Sequence, residues 1–240
     1  MNYDALVIAA HSDDAETQMG GTIARLTQQG KQVLLVDLCD GEPTDYGETG
    51  VRAEQALRAA RILGADRFTL SGQDRLVVDT IPLRLELARL IRLHQPRWVF
   101  GTAQAKVHPD HVAVEPLVTA AVFYSRLQNW DRVPGGEVLQ NTQPWEVERL
   151  FLPHCKMEPA WGKDFDFAID VSQTYHLKKK ALAEYRSVFK VAEGDRLLEL
   201  YEAEDMYTGR IFGVAYAEIF RTHSPLLLDG FEAIRPGIHA

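Results

Sequence analysis

The apolar residues of this chain fall into short blocks that alternate with longer amphipathic ones. Residues 6–10 (Leu-Val-Ile-Ala-Ala) are a run of small and β-branched side chains, the pattern of a buried strand. Residues 32–39, 67–70 and 97–100 repeat it. Between these blocks, residues 21–30, 51–63 and 81–93 set apolar positions at helical spacing, and Gly30 and Gly64 stand where the first two helices should stop. A further helical stretch covers residues 112–124. Residues 127–145, rich in Asn, Asp, Pro and Gly, predict a surface excursion. Strands are expected at 147–152 and 165–171, a basic helix at 174–189 and an acidic one at 195–206. A tail at 215–228 mixes strand and loop character. Strands alternating with helices of this length predict an α/β fold with a mostly parallel sheet and helices on both faces. No repeat or low-complexity linker interrupts the pattern, so residues 1–240 are expected to form one domain.

The polar residues that break this pattern carry the chemistry. The first strand ends in His11, Ser12, Asp13, Asp14 and Glu16, and the strand at 97–100 leads to His108, Asp110 and His111. In an open, Rossmann-like sheet both loops emerge at the carboxyl edge, where ligands bind. Adjacent carboxylates beside imidazoles are costly to desolvate without a cation, and a divalent metal lets them stay ionised. Two imidazoles and one carboxylate leave an open coordination position, the arrangement of catalytic zinc. Such a metal lowers the pKa of bound water from about 16 to roughly 7. A spare carboxylate can then act as base, and a spare histidine can donate a proton or stabilise an oxyanion. The inventory fits hydrolysis of an amide or ester. His11, Asp13 and His111 also satisfy the 2-His-1-carboxylate pattern of a non-haem Fe(II) oxygenase, although the common oxoglutarate-dependent versions sit on an antiparallel double sheet. A nucleotide-binding module would need a Gly-rich turn after the first strand; here that turn is acidic.

Composition narrows the partners. Of 240 residues, 46% are hydrophobic and 25% charged, ordinary for a globular protein, and a net charge of −8 opposes nucleic-acid binding. No apolar run reaches membrane-spanning length, and the Met-Asn-Tyr-Asp start has no signal-peptide character. The two cysteines, Cys39 and Cys155, read as buried thiols of a reduced compartment, so a cytoplasmic location and no membrane partner are expected. His94, His154, His176, His223 and His239 lack paired ligands and read as ordinary surface or core residues.

Ala-His-Ser-Asp-Asp-Ala-Glu at 10–16, with Gly-Gly-Thr-Ile at 20–23, resembles the Ala-His-Pro-Asp-Asp motif of the LmbE-like (PIG-L) zinc deacetylases. His-Pro-Asp-His at 108–111 resembles that family's second motif. Gly41-Glu42, Arg52-Ala-Glu54 and residues 59–64 are similar to its second loop and helix, and Tyr216-Ala-Glu-Ile-Phe220 to the closing segment of bacillithiol-pathway members. The resemblance implies one zinc ion per chain held by His11, Asp14 and His111, with Asp13 as general base. It implies His108, oriented by Asp110, as the charged partner of the oxyanion or leaving amine. It further implies substrate contacts from Arg52 and, more weakly, Glu16. The implied reaction is removal of acetate from an N-acetylglucosamine-type amide, N-acetylglucosaminyl malate or a chitin-type oligosaccharide, by a homo-oligomer (trimer or hexamer by family analogy). Ser12 departs from the family proline, which leaves the loop's φ unlocked. Some members use a tyrosine near the oxyanion; Tyr185, Tyr201 and Tyr207 are candidates by type.

Overall fold

The computed structural model describes residues 2–43, 50–102, 108–154, 165–188, 191–228 and 230, with only the backbone at 191–194. Strand β1 (Ala5–Ala9) is followed by helix α1 (Asp14–Gln28), β2 (Val33–Cys39), α2 (Arg52–Leu63), β3 (Asp66–Gly72), α3 (Ile81–His94), β4 (Trp98–Gly101) and α4 (Pro109–Ser125). Then come β5 (Arg149–Pro153), β6 (Phe167–Asp170), α5 (Tyr175–Ala183), α6 (Val191–Ile211) and β7 (Ala217–Thr222). The strands form one sheet in the order β3-β2-β1-β4-β5-β7-β6. The pairs from β3 to β5 are parallel, whereas β7 runs antiparallel to both β5 and β6. The mostly parallel architecture expected from the alternation is therefore present. Its two-sided burial explains why β1 reads as an unbroken apolar run. Leu6 and Ile8 join α3 and α4 on one face, while Ala5, Val7 and Ala9 join α1, α2 and α5 on the other. No helix among the described residues is long and apolar enough to cross a membrane.

Helix α1 departs from expectation. It begins at Asp14 rather than at residue 21, so the acidic motif itself forms its first turn. The glycines that suggested a start lie inside it, after a kink at Met19 (φ −145°, ψ 24°). Their small size is a packing requirement: a Cβ on Gly21 would lie 2.7 Å from Cβ of Val171, and one on Gly20 3.0 Å from Cγ of Lys178. The kink frees amide groups that need acceptors. The N–H groups of Gly21 and Thr22 donate to the Glu218 carboxylate at 3.0 and 2.8 Å, and the Thr22 hydroxyl adds a third bond at 2.6 Å. Lys178 Nζ, fully buried, bonds to Glu218 and Asp205 at 2.7 Å each. A side chain of β7 thus caps the second half of α1.

Other differences are local. Helix α4 starts at Pro109 rather than 112 because His108 caps it, its Nδ1 accepting the Asp110 amide at 3.3 Å. The expected excursion at 127–145 holds two 3-10 turns, Trp130–Arg132 and Gly136–Leu139. The tail contains a full strand, β7. Cys39 is buried on β2 with its thiol on the Ala10 carbonyl; Cys155 lies outside the described residues.

Candidate metal centre and active site

The sheet order changes direction between β1 and β4, and the loops that follow these two strands carry the histidine and aspartate motifs. Their side chains meet at the carboxyl edge, as the topology requires. His11 Nδ1 lies 3.0 Å from His111 Nε2, and Asp14 places Oδ1 3.1 Å from His111 Nε2 and Oδ2 3.5 Å from His11 Nδ1. The His11 amide also donates to Asp14 Oδ2 at 2.9 Å, fixing that carboxylate. Two imidazole nitrogens facing each other across 3.0 Å beside a buried carboxylate are a donor set suited to a divalent cation. His108 completes a group of three histidines whose nitrogens are close enough to share one ion.

The carboxylates favour positive charge at this place, whether carried by protonated imidazoles or by a bound cation. Burial alone would discharge His11, but hydrogen bonding and charge from Asp14 and Asp13 prevail and push its pKa up to about 12. His111 is likewise desolvated yet raised by Asp14. Asp14 is held well below the usual carboxylate range, because the two imidazoles outweigh its burial. His108 goes the other way. Burial, and then the neighbouring His11 and His111, lower its pKa, so the neutral ring is favoured near neutral pH rather than the expected charged partner. With its Nδ1 accepting the Asp110 amide, the proton sits on Nε2.

Asp13, beside the ligand set, is half-buried, and its Oδ1 accepts from Arg52 Nη2 at 2.8 Å. Arg52 also donates to the same loops, from Nε to Ser12 Oγ at 3.1 Å and from Nη1 to the Gly41 carbonyl at 3.0 Å. It is only 9% exposed, so its guanidinium is turned toward Asp13 rather than outward. Ser12 supplies an acceptor that a proline could not. Gly41 (φ 70°) leaves the space this arginine fills, since a Cβ there would lie 2.6 Å from its Cζ.

Glu16 requires correction. It is fully buried, pairs with Arg67 Nη1 at 2.5 Å and accepts the Tyr185 hydroxyl at 3.0 Å. With no exposed surface it cannot touch a substrate; it braces the motif from below. Burial pushes its pKa up, against the pull of Arg67. Asp110 is placed differently from the expected role as well. Its carboxylate faces His11 Nε2 at 3.1 Å, and it meets His108 through its backbone amide. Of the candidate tyrosines, Tyr185 is buried against Glu16 and Arg67, Tyr201 is buried on α6, and Tyr207 is exposed on that helix.

Three residues went unremarked in the sequence. Arg67 on β3 makes a two-pronged pair with Asp37 (2.7 and 2.8 Å) and donates to the Ser12 carbonyl at 2.9 Å, tying the motif loop to the sheet. The signal was present: Asp37 and Arg67 are charges inside two adjacent apolar strands, and buried charges demand partners. Asp74, after β3, places Oδ1 3.1 Å from His11 Nε2. It carried no signal, because its neighbours in sequence are polar. The remaining histidines lie in ordinary settings: His94 packs edge-on against Tyr3, His154 pairs with Glu204, and His176 and His223 are exposed. His239 is outside the described residues.

Fold and donor set together describe an α/β protein whose topological switch point carries a histidine and aspartate cluster that could hold a metal ion. A profile of the PIG-L family, described as GlcNAc-PI de-N-acetylase, matches residues 6–122, just under half of the chain. The solved structure of a conserved protein from Thermus thermophilus superposes with a TM-score of 0.82 at 33% identity, covering 94% of this chain and 97% of that one. The diacetylchitobiose deacetylase of Thermococcus kodakarensis is 27% identical over 231 residues, 90% of this chain and 81% of its own. The 4-oxalmesaconate hydratase of Pseudomonas putida is also 27% identical, over 192 residues, 74% and 71% of the two chains. Residues 6–122 thus match the PIG-L family model, and the fold of the whole chain is shared with a 33%-identical relative. The seven-stranded, mostly parallel sheet does not favour the oxygenase alternative.

Proposed function

We propose that this protein is a zinc-dependent N-deacetylase that hydrolyses the acetamide of a small N-acetylglucosamine-type substrate to a free amine and acetate. The observation that carries this reading is a partly exposed carboxylate, Asp13, held by Arg52 beside the converging His11, Asp14 and His111. In this reading those three residues hold zinc. When bound there, zinc supplies Lewis acidity that polarises the substrate carbonyl and makes water acidic near neutral pH. Asp13 takes the proton of the attacking water; Arg52 fixes one of its oxygens and leaves the other for that proton. As the water oxygen adds to the carbonyl carbon, the Nε2–H of His108 is placed to donate to the developing negative charge. The C–N bond then breaks as Asp13 returns the proton it took to the leaving nitrogen, giving the free amine and acetate.

The substrate class follows the diacetylchitobiose deacetylase relative. N-acetylglucosaminyl malate, the bacillithiol-type substrate, is the second arm of the same reading, supported by the resemblance of residues 216–220. Three of the five N–H donors of Arg52 are engaged, by Ser12, Gly41 and Asp13, which leaves two for an acidic aglycone. The test is release of acetate from diacetylchitobiose, N-acetylglucosaminyl malate and N-acetylglucosamine, with zinc content measured on the same samples and Asp13→Ala alongside. We expect release from at least one sugar, lost in the variant while zinc stays bound. Hydration of 4-oxalmesaconate without acetate release would replace this reading with that of the hydratase relative.

A further inference from the structure

The imidazole of His11 has two jobs if Nδ1 faces a metal: Nδ1 must keep its lone pair free, and Nε2 must carry the proton. A metal-bound histidine ordinarily gives that second proton to one acceptor, which fixes the ring and raises its basicity. Here two carboxylates converge on it. Asp110 Oδ2 and Asp74 Oδ1 each lie 3.1 Å from His11 Nε2, and their side chains are 0% and 8% exposed. They reach it from different elements, Asp110 from the first turn of α4 and Asp74 from the loop between β3 and α3.

The two carboxylates are held unequally. Asp110 accepts the amides of Arg75 and Val77 at 2.8 and 3.2 Å, so both of its oxygens are occupied by the Asp74 loop itself. Aiming those amides inward requires Arg75 to adopt φ 68°, a left-handed conformation that costs a non-glycine residue about 1–2 kcal/mol. Asp74 reaches the other way as well: its Oδ1 lies 4.0 Å from Nε2 of His108, and its Oδ2 3.5 Å from Arg75 Nη1. One carboxylate oxygen therefore stands between the metal-side histidine and the histidine placed to donate to the substrate.

We propose that Asp74 is a positioning residue of the metal centre, sharing the His11 Nε2 proton with Asp110 so that either carboxylate alone holds the ring only partly. The inference rests on the metal-dependent reading of the site but not on its substrate. Paired negative charge beside one N–H makes His11 a stronger donor through Nδ1 than one carboxylate would. The same charge draws the His108 Nε2–H toward the centre of the site. Because both acceptors act through a single proton, their contributions to metal binding must overlap.

The experiment is zinc affinity, measured by competition with a chromophoric chelator, for wild type, Asp74→Asn, Asp110→Asn and the double variant. The melting temperature of each metal-free protein serves as the folding control. Asp74→Asn should weaken zinc binding about 10- to 100-fold, the usual cost of losing a partner behind a metal ligand, with the metal-free melting temperature unchanged. The double variant should lose more than the product of the two single losses, because each acceptor takes up the proton when the other is removed and only the double variant leaves it unpaired. Wild-type zinc affinity in Asp74→Asn, or a double loss no greater than that product, would overturn the inference. So would a wild type that binds no zinc. Should Asp74→Asn fail to fold, Asp74→Ser reads the same affinity. A chain that binds zinc yet deacetylates no amino sugar defeats the proposed function and leaves the affinity comparison to decide Asp74.

Discussion

At the scale of single residues, the site is a set of carboxylates with different anchors, and the anchors decide what each can do. Asp14 is buried against two imidazoles, Asp110 against two amides and His11, and Asp13 alone of the three is tied to an arginine and still partly exposed. Asp13→Ala should therefore keep metal and lower kcat by about 10²–10⁴-fold, the usual contribution of a positioned base; acetate release and zinc content on one sample check both halves. Ser12→Ala removes the acceptor of a buried arginine N–H. Leaving it unpaired should cost about 1–3 kcal/mol, read as a lower midpoint in denaturant, with a smaller fall in kcat as Arg52 loosens on Asp13. These two positions also measure what sequence could reveal. His11, Asp13, Asp14 and His111 were legible because their chemistry has no other economical use at two strand ends. Glu16 was misread because a carboxylate two residues on in the same motif looks identical on paper. Only the fold shows that Arg67 lies beneath it.

At the scale of elements, the alternation of apolar blocks was legible because period-2 and period-3.6 burial leave different marks. What it could not locate was the start of α1. Gly20 and Gly21 look like a loop before a helix, yet they are there because α5 and Val171 approach to contact. The tertiary cause leaves no local trace. It does give a prediction of unusual sign. Glycine to alanine inside a helix normally gains roughly 1 kcal/mol, but Gly21→Ala would drive a methyl to 2.7 Å from Val171 Cβ, and overpacking of this kind costs about 1–3 kcal/mol. Thermal melts of Gly21→Ala should show a loss, and Gly21→Ala combined with Val171→Ala should recover part of it. Strand β7 was half-visible for a similar reason: it mixes apolar residues with Glu218, whose charge is explained only by the helix amides it caps.

For the whole molecule, two buried ionic hubs join parts of the chain that are remote in sequence: Arg67 with Asp37 and Glu16, and Lys178 with Asp205 and Glu218. Replacing one partner leaves buried charge uncompensated, so Lys178→Met should lose about 3–5 kcal/mol. The pH dependence has a definite sign. Burial would lower the Lys178 pKa, but Asp205 and Glu218 raise it above the ordinary 10.5. Its stabilisation is therefore complete below pH 10.5 and is lost as pH rises through the elevated value. The gap in melting temperature between wild type and Lys178→Met should stay constant from about pH 7 to about pH 10 and narrow only above that. The same hub bears on the order in which the protein can be made. Glu218 and the Gly21 amide it caps are 197 positions apart. At about 5–20 residues per second, a ribosome needs roughly 10–40 s to travel between them. For that interval the helix that carries the histidine and aspartate motif has its second half uncapped and its lysine clasp unmade. A nascent chain thus holds His11, Asp14 and His111 well before Glu218 can cap the helix behind them.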